Sequence, residues 1–363
     1  MIVALNFIAL PDTQTAGAYR YIANILEMLQ FYAISGSRFI IYKQKQIPDS
    51  FFKMPSNVDV QYVDVPTLGR GIKRILFEQT IFYKYLLKCD VFYSYCTSMP
   101  LFVRTQKIFT LHDVYCFSDN HRHSLLKRIY LQWTTRLYVH CADHILTVSQ
   151  FSLSEIQKYL HVPDDRISIT YNFLLPSLPH KENTHVQVVK NMKPYFLFVG
   201  SLLPHKNIKG MIDGFIAFNT EHQYELRIVG QCADESLIAD LQSKTDILYM
   251  GFQRDEVLND LYKNCVSVVL LSFCEGFGIP PMEGFRYSKP ALVADKASLP
   301  EVVGEAGIKV DPYDVQSIAR GFQQVLDKST ELIRHIPQQL RKFDPFASCE
   351  KFMDVLGIKY QRL

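Results

Sequence analysis

Short apolar runs alternate with longer amphipathic stretches along the chain. Seven such runs in the first half predict strands: IVALNFIAL, RFIIYKQ, VDVQYVDV, CDVFYSY, KIFTLHD, ADHILTVS and RISITYN. Six more follow in the second half: KPYFLFVGSL, YELRIVGQ, DILYMGF, CVSVVLLSF, PALVAD and GIKVDP. Stretches with a helical period, such as AYRYIANILEMLQFY and NIKGMIDGFIAFN, lie between the runs. Strands that alternate with helices are typical of parallel sheets, so the pattern predicts two successive α/β units.

A polar, proline-rich segment, LLPSLPHKENTHVQVVKNM, separates the two sets of strands and has no clear period, as expected of a linker. We therefore predict a first domain over residues 1–175, a linker over 176–191 and a second domain over 192–342. Residues 343–363 have a helical period after Pro345. We expect this last helix to pack away from the second domain and to return to the first.

The composition narrows the class of protein. With 363 residues, 48% of them hydrophobic, the chain can form two packed domains. The formal net charge is only +3, so a nucleic-acid partner is not predicted. Residues 1–190 carry 20 Lys and Arg against 14 Asp and Glu, whereas residues 191–363 carry 19 against 22. The two halves therefore differ in the sign of their charge.

The eight cysteines form no CxxC pair and have no histidines at zinc-ligand spacing, which favours free thiols in a reducing cytoplasm. The apolar start, MIVALNFIAL, lacks a basic region and a cleavage site, so we interpret it as a strand and not as a signal peptide. No apolar run approaches the ~18 residues of a membrane span. These features predict a cytoplasmic protein.

Ligands of parallel α/β sheets bind beyond the carboxyl ends of the strands, so motifs at these positions carry the most weight. Gly17 follows the first strand and precedes a helix, where exposed backbone N–H groups bind anions; a plain strand-to-helix turn explains it equally well. No GxGxxG motif follows that strand, which argues against a dinucleotide-binding fold.

Two further strand ends carry ionisable side chains. His112 and Asp113 in IFTLHDVY are suited to orienting a substrate hydroxyl or to proton transfer; a histidine bonded only for structure is the alternative. In GSLLPHKN, Gly200 begins a turn and Lys206 stands just ahead of a helix, which supplies backbone donors and a point charge for phosphate. A solvated Lys206 is the competing interpretation.

The stretch FCEGFGIPPMEGF places Glu275 and Glu283 on either side of a turn. Gly276 and Gly278 allow a tight turn with exposed amides, and the two prolines suit the first turn of a following helix. Carboxylates are good acceptors for sugar and ribose hydroxyls. From spacing alone, Glu283 is equally explained by a favourable interaction with the helix dipole.

Together these motifs resemble the family 4 glycosyltransferases of the GT-B fold, whose signature has two glutamates around an EGFGxPxxE core. Glu275 to Glu283 match it position for position. Further segments similar to the family are FEQ (77–79), LHD (111–113), ADHILTVSQFS (142–152), ITYN (169–172), VGSLLPHKN (199–207) and SLPEVVGEAG (298–307). The resemblance implies two Rossmann-like domains that face each other across a cleft.

The resemblance also implies retaining transfer of a sugar from a nucleotide-diphosphate donor. Lys206 would neutralise the diphosphate, and Glu283 would bind the ribose hydroxyls. Glu275 would hold the donor sugar with the backbone of residues 276–278, and His112 would lie near the reacting carbon. The residues that it assigns to catalysis or donor binding are Gly17, His112, Gly200, Ser201, Lys206, Glu275, Gly276, Phe277, Gly278 and Glu283.

No DxD motif is present, so we expect no metal cofactor; Lys206 and a helix N-terminus would stabilise the diphosphate instead. GSLLPHKN and SLPEV are most similar to mannosyltransferase-like members, which favours a GDP-linked donor. Ser201 and His205 stand where many relatives have arginine. A second phosphate-binding cation would then be His205 or Lys209.

The acceptor would belong to the first domain. The stretch GRGIKRILFEQTIFYKYLLK contains Arg70, Lys73 and Arg74 among apolar residues, and with Asp113 these are the candidate acceptor residues. A basic amphipathic segment of this kind suits an anionic membrane surface, whereas an ordinary solvated helix with a buried apolar face is the alternative. We predict a glycan or lipid-linked glycan acceptor and peripheral association with the inner face of the membrane.

Three other functions remain open on the sequence: a UDP-sugar-dependent transferase of the same fold, a protein that binds a nucleotide sugar without transferring it, and a GT-B epimerase or phosphorylase. The changed residue Ser201 motivates the second, and the intact Lys206, Glu275 and Glu283 oppose it.

Overall fold

The computed structural model describes residues 1–10, 17–69, 71–96, 98–118, 124–176 and 193–363. The chain divides into two compact units. Residues 1–175 and 343–363 form the first unit, and residues 176–342 form the second. The predicted linker over 176–191 lies outside the described residues except for Pro176.

The first unit contains a parallel sheet of seven described strands in the order β4-β3-β1-β5-β6-β7-β8. These strands are β1 (Ile2–Asn6), β3 (Arg38–Gln44), β4 (Asp59–Val65), β5 (Val91–Ser94), β6 (Gln106–Thr110), β7 (His144–Thr147) and β8 (Ile167–Ile169). Its helices are α1 (Gly17–Met28), α2 (Ile72–Thr80), α3 (Tyr115–Ser118), α4 (Leu125–Cys141), α5 (Gln150–Leu160) and α13 (Pro345–Val355). All seven strands predicted from the apolar runs are confirmed.

A small antiparallel pair of strands joins the two ends of the first unit. The sequence predicted one helix from residue 18 to residue 32, and this is wrong at its end. α1 stops at Met28, and β2 (Tyr32–Ile34) pairs with β15 (Tyr360–Arg362) near the carboxyl terminus. Packing against the terminal segment, which also places the Tyr32 and Phe346 rings 6.3 Å apart, outweighs the local helical period.

The second unit contains a parallel sheet of six described strands in the order β11-β10-β9-β12-β13-β14. These are β9 (Tyr195–Val199), β10 (Glu225–Val229), β11 (Ile247–Gly251), β12 (Ser267–Leu270), β13 (Ala291–Ala294) and β14 (Gly307–Val310). Its helices are α6 (Ile208–Phe218), α7 (Glu235–Gln242), α8 (Asp255–Asn264), α9 (Ile279–Phe285), α10 (Leu299–Val303), α11 (Val315–Asp327) and α12 (Ser329–Lys342). The six predicted strands of this half are also confirmed.

Strands buried on both faces explain why the runs are apolar throughout rather than alternating. Every residue of β12 and β13 is buried, for example. Because all strands of each sheet are parallel, their carboxyl ends share one edge, and the loops that follow them meet there. None of the helices in the described ranges combines the length and the hydropathy of a membrane span.

Candidate active site

The carboxyl edge of the second sheet holds an ion pair between Lys206 and Glu275. Lys206 ends a 3₁₀ turn, Pro204–Lys206, that follows β9, and Glu275 lies in the turn that follows β12. Lys206 Nζ donates to Glu275 Oε1, which also accepts from Ser272 Oγ at 2.7 Å. The side chains remain 15% and 14% exposed. The structure therefore brings two residues 69 positions apart into one pair that solvent can reach.

The two loops that carry this pair are held together through the backbone. Phe273 N donates to His205 O at 2.8 Å. The hydroxyl of Ser298, which is fully buried, lies 2.7 Å from Glu275 O and 2.8 Å from Phe277 O, so one donor is shared between both carbonyls. These contacts fix the turn over residues 275–277 against the loop after β13.

The backbone conformation at position 278 requires glycine. Its φ of 101° lies in the left-handed region, and a Cβ there would stand 2.5 Å from Leu299 Cδ2. The neighbouring Phe277 is 4% exposed. The turn therefore packs tightly against α10, and any ligand contact predicted for residues 276–278 falls to their backbone rather than to the Phe277 ring.

Glu283 lies in α9 and has a different partner from Glu275. Its Oε2 accepts from Tyr262 OH of α8 at 2.5 Å. The Tyr262 and Tyr287 rings stack at 6.4 Å with an interplanar angle of 9°. Lys206 and Ser272 therefore bond Glu275, whereas Tyr262 bonds Glu283.

Gly200 and Ser201 follow β9 at the same edge. Gly200 N donates to Val229 O at 2.9 Å, and a Cβ on Gly230 would stand 1.8 Å from Gly200 O. The ends of β9 and β10 therefore approach each other so closely that only glycine fits at position 230. Ser201 and Lys209 are exposed, and His205 is partly exposed.

The carboxyl edge of the first sheet carries His112, two residues beyond β6. Its Nε2 lies 3.1 Å from Tyr95 O and, because a carbonyl only accepts, this nitrogen carries a proton. Burial lowers the pKa of His112 below its ordinary value; the bond to Tyr95 and the charge of Asp113 oppose this shift. A neutral imidazole bonded in this way presents Nδ1 as an acceptor.

Asp113 and Gly17 occupy turns at this edge. Asp113 Oδ1 accepts from Tyr115 N at 3.3 Å, at the start of α3, so part of its role is structural. Gly17 is exposed and is the first residue of α1. Its preceding residues, 11–16, lie outside the described part of the chain.

Arg74 belongs to a buried network and is not a free surface cation. Arg74 Nη1 lies 3.2 Å from Glu78 Oε2 and 2.6 Å from Ser98 Oγ, and Asn6 Nδ2 donates to Glu78 Oε1 at 2.6 Å. Burial raises the pKa of Glu78, and the Arg74 charge and the bonds from Asn6 and Ser98 oppose this. Lys73, its neighbour, is exposed, and Arg70 lies outside the described residues.

The sequence reasoning missed several of these partners. Glu78 received no role, although its four-residue spacing from Arg74 in a helix was a signal for a pair. Ser272, Tyr262 and Ser298 carried no signal of their own, since hydroxyl residues occur in any strand or loop. Among the described residues, no group of three His, Cys, Asp or Glu side chains is arranged to hold a metal ion.

Two family models match the chain. The model for glycosyl transferases group 1 matches residues 180–343, and the model for glycosyltransferase family 4 matches residues 48–176. Together they span most of both units.

Individual relatives agree with these families. The chain is 32% identical over 230 residues to O-antigen chain mannosyltransferase B of Escherichia coli, covering 60% of each chain. It is 30% identical over 243 residues to O-antigen chain mannosyltransferase RfbU of Salmonella typhimurium, covering 64% of this chain and 65% of that one. The match therefore spans less than two thirds of either relative.

A solved structure shows the same fold over nearly the whole chain. The Anabaena protein Alr3699/HepE in complex with UDP superposes with a TM-score of 0.71 at 16% identity, covering 98% of this chain and 99% of that one. At this identity the likeness concerns the fold, which is the GT-B arrangement of two Rossmann-like sheets.

Proposed function

Because the chain belongs to the family 4 glycosyltransferases of the GT-B fold, we propose that it transfers mannose from GDP-mannose to a glycan or lipid-linked glycan. We further propose that the anomeric configuration is retained, that no metal ion takes part, and that the product belongs to a cell-surface polysaccharide. The observation that carries the proposal is the Lys206–Glu275 pair at the carboxyl edge of the second sheet.

The chemistry of the pair supports this proposal. When the bond between the anomeric carbon and the diphosphate breaks, negative charge develops on the diphosphate, and a preorganised cation stabilises it. Lys206 supplies that charge, and its partial exposure lets a phosphate replace Glu275 as its partner. Glu275, once released, accepts hydrogen bonds from hydroxyls of the donor sugar.

His112 is proposed to act at the reacting carbon and the acceptor. Its lowered pKa keeps the ring neutral at physiological pH, so it neither repels a cationic transition state nor pairs with the diphosphate. Glu283, held by Tyr262, is proposed to bind the ribose hydroxyls.

The choice of mannose rests on the relatives. Two of them are named as O-antigen chain mannosyltransferases. A UDP-sugar donor is the second candidate, because the Anabaena protein of the same fold is seen with UDP.

The first experiment is a thermal-shift panel of GDP, UDP, ADP and their common sugar conjugates, each with and without chelator. A ligand at ~100 times its Kd adds ~2.7 kcal/mol to the free energy of unfolding. We expect a shift with GDP and GDP-mannose that chelator does not change. A shift with UDP and its sugar conjugates alone would show that the donor is a UDP-sugar and not GDP-mannose. A shift that disappears with chelator would contradict the proposal that no metal ion takes part.

Two lysine variants locate the binding site. Lys206→Ala is expected to abolish most of the nucleotide shift, whereas Lys328→Ala, exposed at the carboxyl end of α11, serves as the matched control. A partial loss in Lys209→Ala would make Lys209 the second phosphate-binding cation. Turnover of GDP-mannose, with the product linkage read by NMR, tests transfer and retention; binding without turnover would favour the non-catalytic alternative.

A further inference from the structure

The imidazole of His112 is restrained by a second side chain besides its bond to Tyr95. The bond from Nε2 to Tyr95 O fixes one atom of the ring, but the ring can still turn about that bond. The ring of Tyr21, in α1, lies 5.3 Å from the His112 ring between centroids, at an interplanar angle of 89°. Perpendicular rings at this distance attract each other edge to face. The Tyr21 ring therefore fixes the plane of the imidazole.

Tyr21 is itself held at its far end. Its hydroxyl is hydrogen-bonded to Thr170 Oγ1, directly after β8. Thr170 N donates to Thr147 O at 2.8 Å, so Thr170 continues the pairing of β8 with β7. Burial raises the pKa of Tyr21 to about 12, and hydrogen bonds with Thr170 and two neighbouring hydroxyls oppose this shift. The Tyr21 hydroxyl thus stays protonated and anchors the ring to the sheet.

The backbone on which His112 stands is fixed separately. Ser152 Oγ, from α5, donates to His112 O at 2.9 Å. Thr147 Oγ1, at the end of β7, donates to Leu111 O at 2.8 Å. Both hydroxyl residues are buried. Because the main chain is held by these bonds, the freedom left to His112 is rotation of its side chain, and Tyr95 and Tyr21 restrict that rotation.

We propose that Tyr21 is a positioning residue for His112, which holds the imidazole in the orientation in which Nδ1 serves the transfer reaction. The inference rests on the role proposed above for His112. Tyr21 is 1% exposed, so it cannot contact a substrate and acts through the histidine. A reacting group displaced by ~1 Å can lose ~100-fold in rate, so the loss of this restraint should lower turnover far more than substrate binding.

The first test removes the ring. In Tyr21→Leu we expect kcat for release of GDP from GDP-mannose to fall about 10- to 100-fold, while KM changes less than about twofold. The nucleotide thermal shift, measured on the same variant, should persist and shows that the protein is folded. A kcat that stays at the level of the unchanged protein would reduce Tyr21 to core packing and overturn the proposal.

A matched control comes from a tyrosine in the same kind of environment. Tyr32 is fully buried, its ring stands at 86° to the Tyr360 ring at 5.4 Å, and its hydroxyl donates to Glu350 Oε1 at 3.2 Å. It contacts the terminal segment and not His112. Tyr32→Leu should therefore lower Tm as Tyr21→Leu does, but leave kcat unchanged. Equal losses of kcat in the two variants would contradict a specific role for Tyr21.

The anchor of the ring can be removed from either end. Tyr21→Phe and Thr170→Val delete the same hydrogen bond and retain the ring, so each should lower kcat about threefold, the effect of one ordinary hydrogen bond. The double variant should lose no more than either single variant, because the bond is already absent. An unchanged kcat in both single variants overturns the proposal, also where Tyr21→Leu does not fold.

The histidine variant shows whether Tyr21 acts through His112. In a His112→Gln background, Tyr21→Leu should lower kcat no further; an additional loss would place its effect elsewhere and overturn the proposal. A normal kcat in Tyr21→Leu beside a low kcat in His112→Gln overturns the positioning alone. A normal kcat in His112→Gln overturns both the positioning and the role proposed for His112, while the nucleotide thermal shift still reports donor binding by the second unit.

Discussion

The carboxyl edges of the two sheets each carry an ion pair, and the two pairs are built differently. In the first unit, Arg74 is 14% exposed and Glu78 is fully buried. In the second, Lys206 and Glu275 keep 15% and 14% exposure. A ligand can reach both members of the second pair but only one member of the first.

The surroundings of the two pairs reinforce this difference. Glu78 accepts from Asn6 at the end of β1, so its two oxygens are both bonded inside the protein. In Glu275, a single carboxylate oxygen, Oε1, accepts the hydrogen bonds from both described partners, Lys206 and Ser272. We infer that the Arg74–Glu78 pair supports the first edge, whereas the Lys206–Glu275 pair exchanges partners with a ligand.

Breaking the first pair should have the largest effect on stability. Arg74→Ala leaves a buried carboxylate without its cation, and we expect the free energy of unfolding to fall by about 3 to 5 kcal/mol. Urea denaturation at pH 7.5 measures this loss. The double variant Arg74→Ala with Glu78→Gln removes the unpaired charge and should recover most of it.

The pH dependence of this loss has a definite sign. Burial already raises the pKa of Glu78, and removing Arg74 raises it further, so the folded variant binds a proton more readily than the unfolded chain. The penalty should therefore be greatest above the folded pKa of Glu78 and shrink on acidification. A penalty that is equal at pH 7.5 and pH 5 would contradict a charged, buried Glu78.

Changing the second pair should lower enzymatic activity rather than stability. Glu275→Gln is expected to lower turnover about 100-fold, ~2.7 kcal/mol, while nucleotide affinity falls far less, because its proposed partner is the donor sugar. Glu283→Ala is the matched comparison and should chiefly weaken nucleotide binding. Isothermal titration with GDP beside steady-state kinetics separates the two. An equal loss of turnover and affinity in Glu275→Gln would refute its assigned role.

A variant of Ser298, which bonds only the backbone of the turn over residues 275–277 in the contacts described above, tests whether the position of this turn matters for turnover. Ser298→Ala removes the donor that Glu275 O and Phe277 O share, and the loss of these hydrogen bonds should cost about 0.5 to 1.5 kcal/mol. Because the turn would also lose its position, turnover should fall while nucleotide affinity stays nearly unchanged. Ser298→Thr retains the hydroxyl and should rescue turnover; if it does not, the hydroxyl has no positioning role.

The sequence predicted the two edges unequally. At the second edge, one short stretch of sequence carries both signature glutamates, so their position after a strand could be predicted. The positive φ of Gly278 explains why the turn between them contains glycine. At the first edge, the strand-end position indicated His112, and the four-residue spacing indicated the Arg74–Glu78 pair. No local pattern indicated that Asn6 and Ser98, which lie on other elements, would bond this pair. The strands followed from apolar runs buried on both faces. β2 was missed because it pairs with β15, and Tyr360 is 326 residues away from its partner Ile34.

The smallest effect concerns the two histidines whose pKa values are lowered, one at each end of the first sheet. Burial is the main cause for His112, beyond β6, and for His144, which opens β7 and is also affected by Lys351 and Arg166. The unfolded chain then binds more protons than the folded one as pH falls below about 6.5, so stability is present above that pH and declines below it. His112→Gln and His144→Gln should each flatten this decline, measured as Tm against pH. Only protonation of His112 should also reduce turnover, so the loss of activity at acid pH should persist in His144→Gln. If His144→Gln abolishes this loss, the group whose protonation limits turnover is His144 at the amino end of the sheet and not His112.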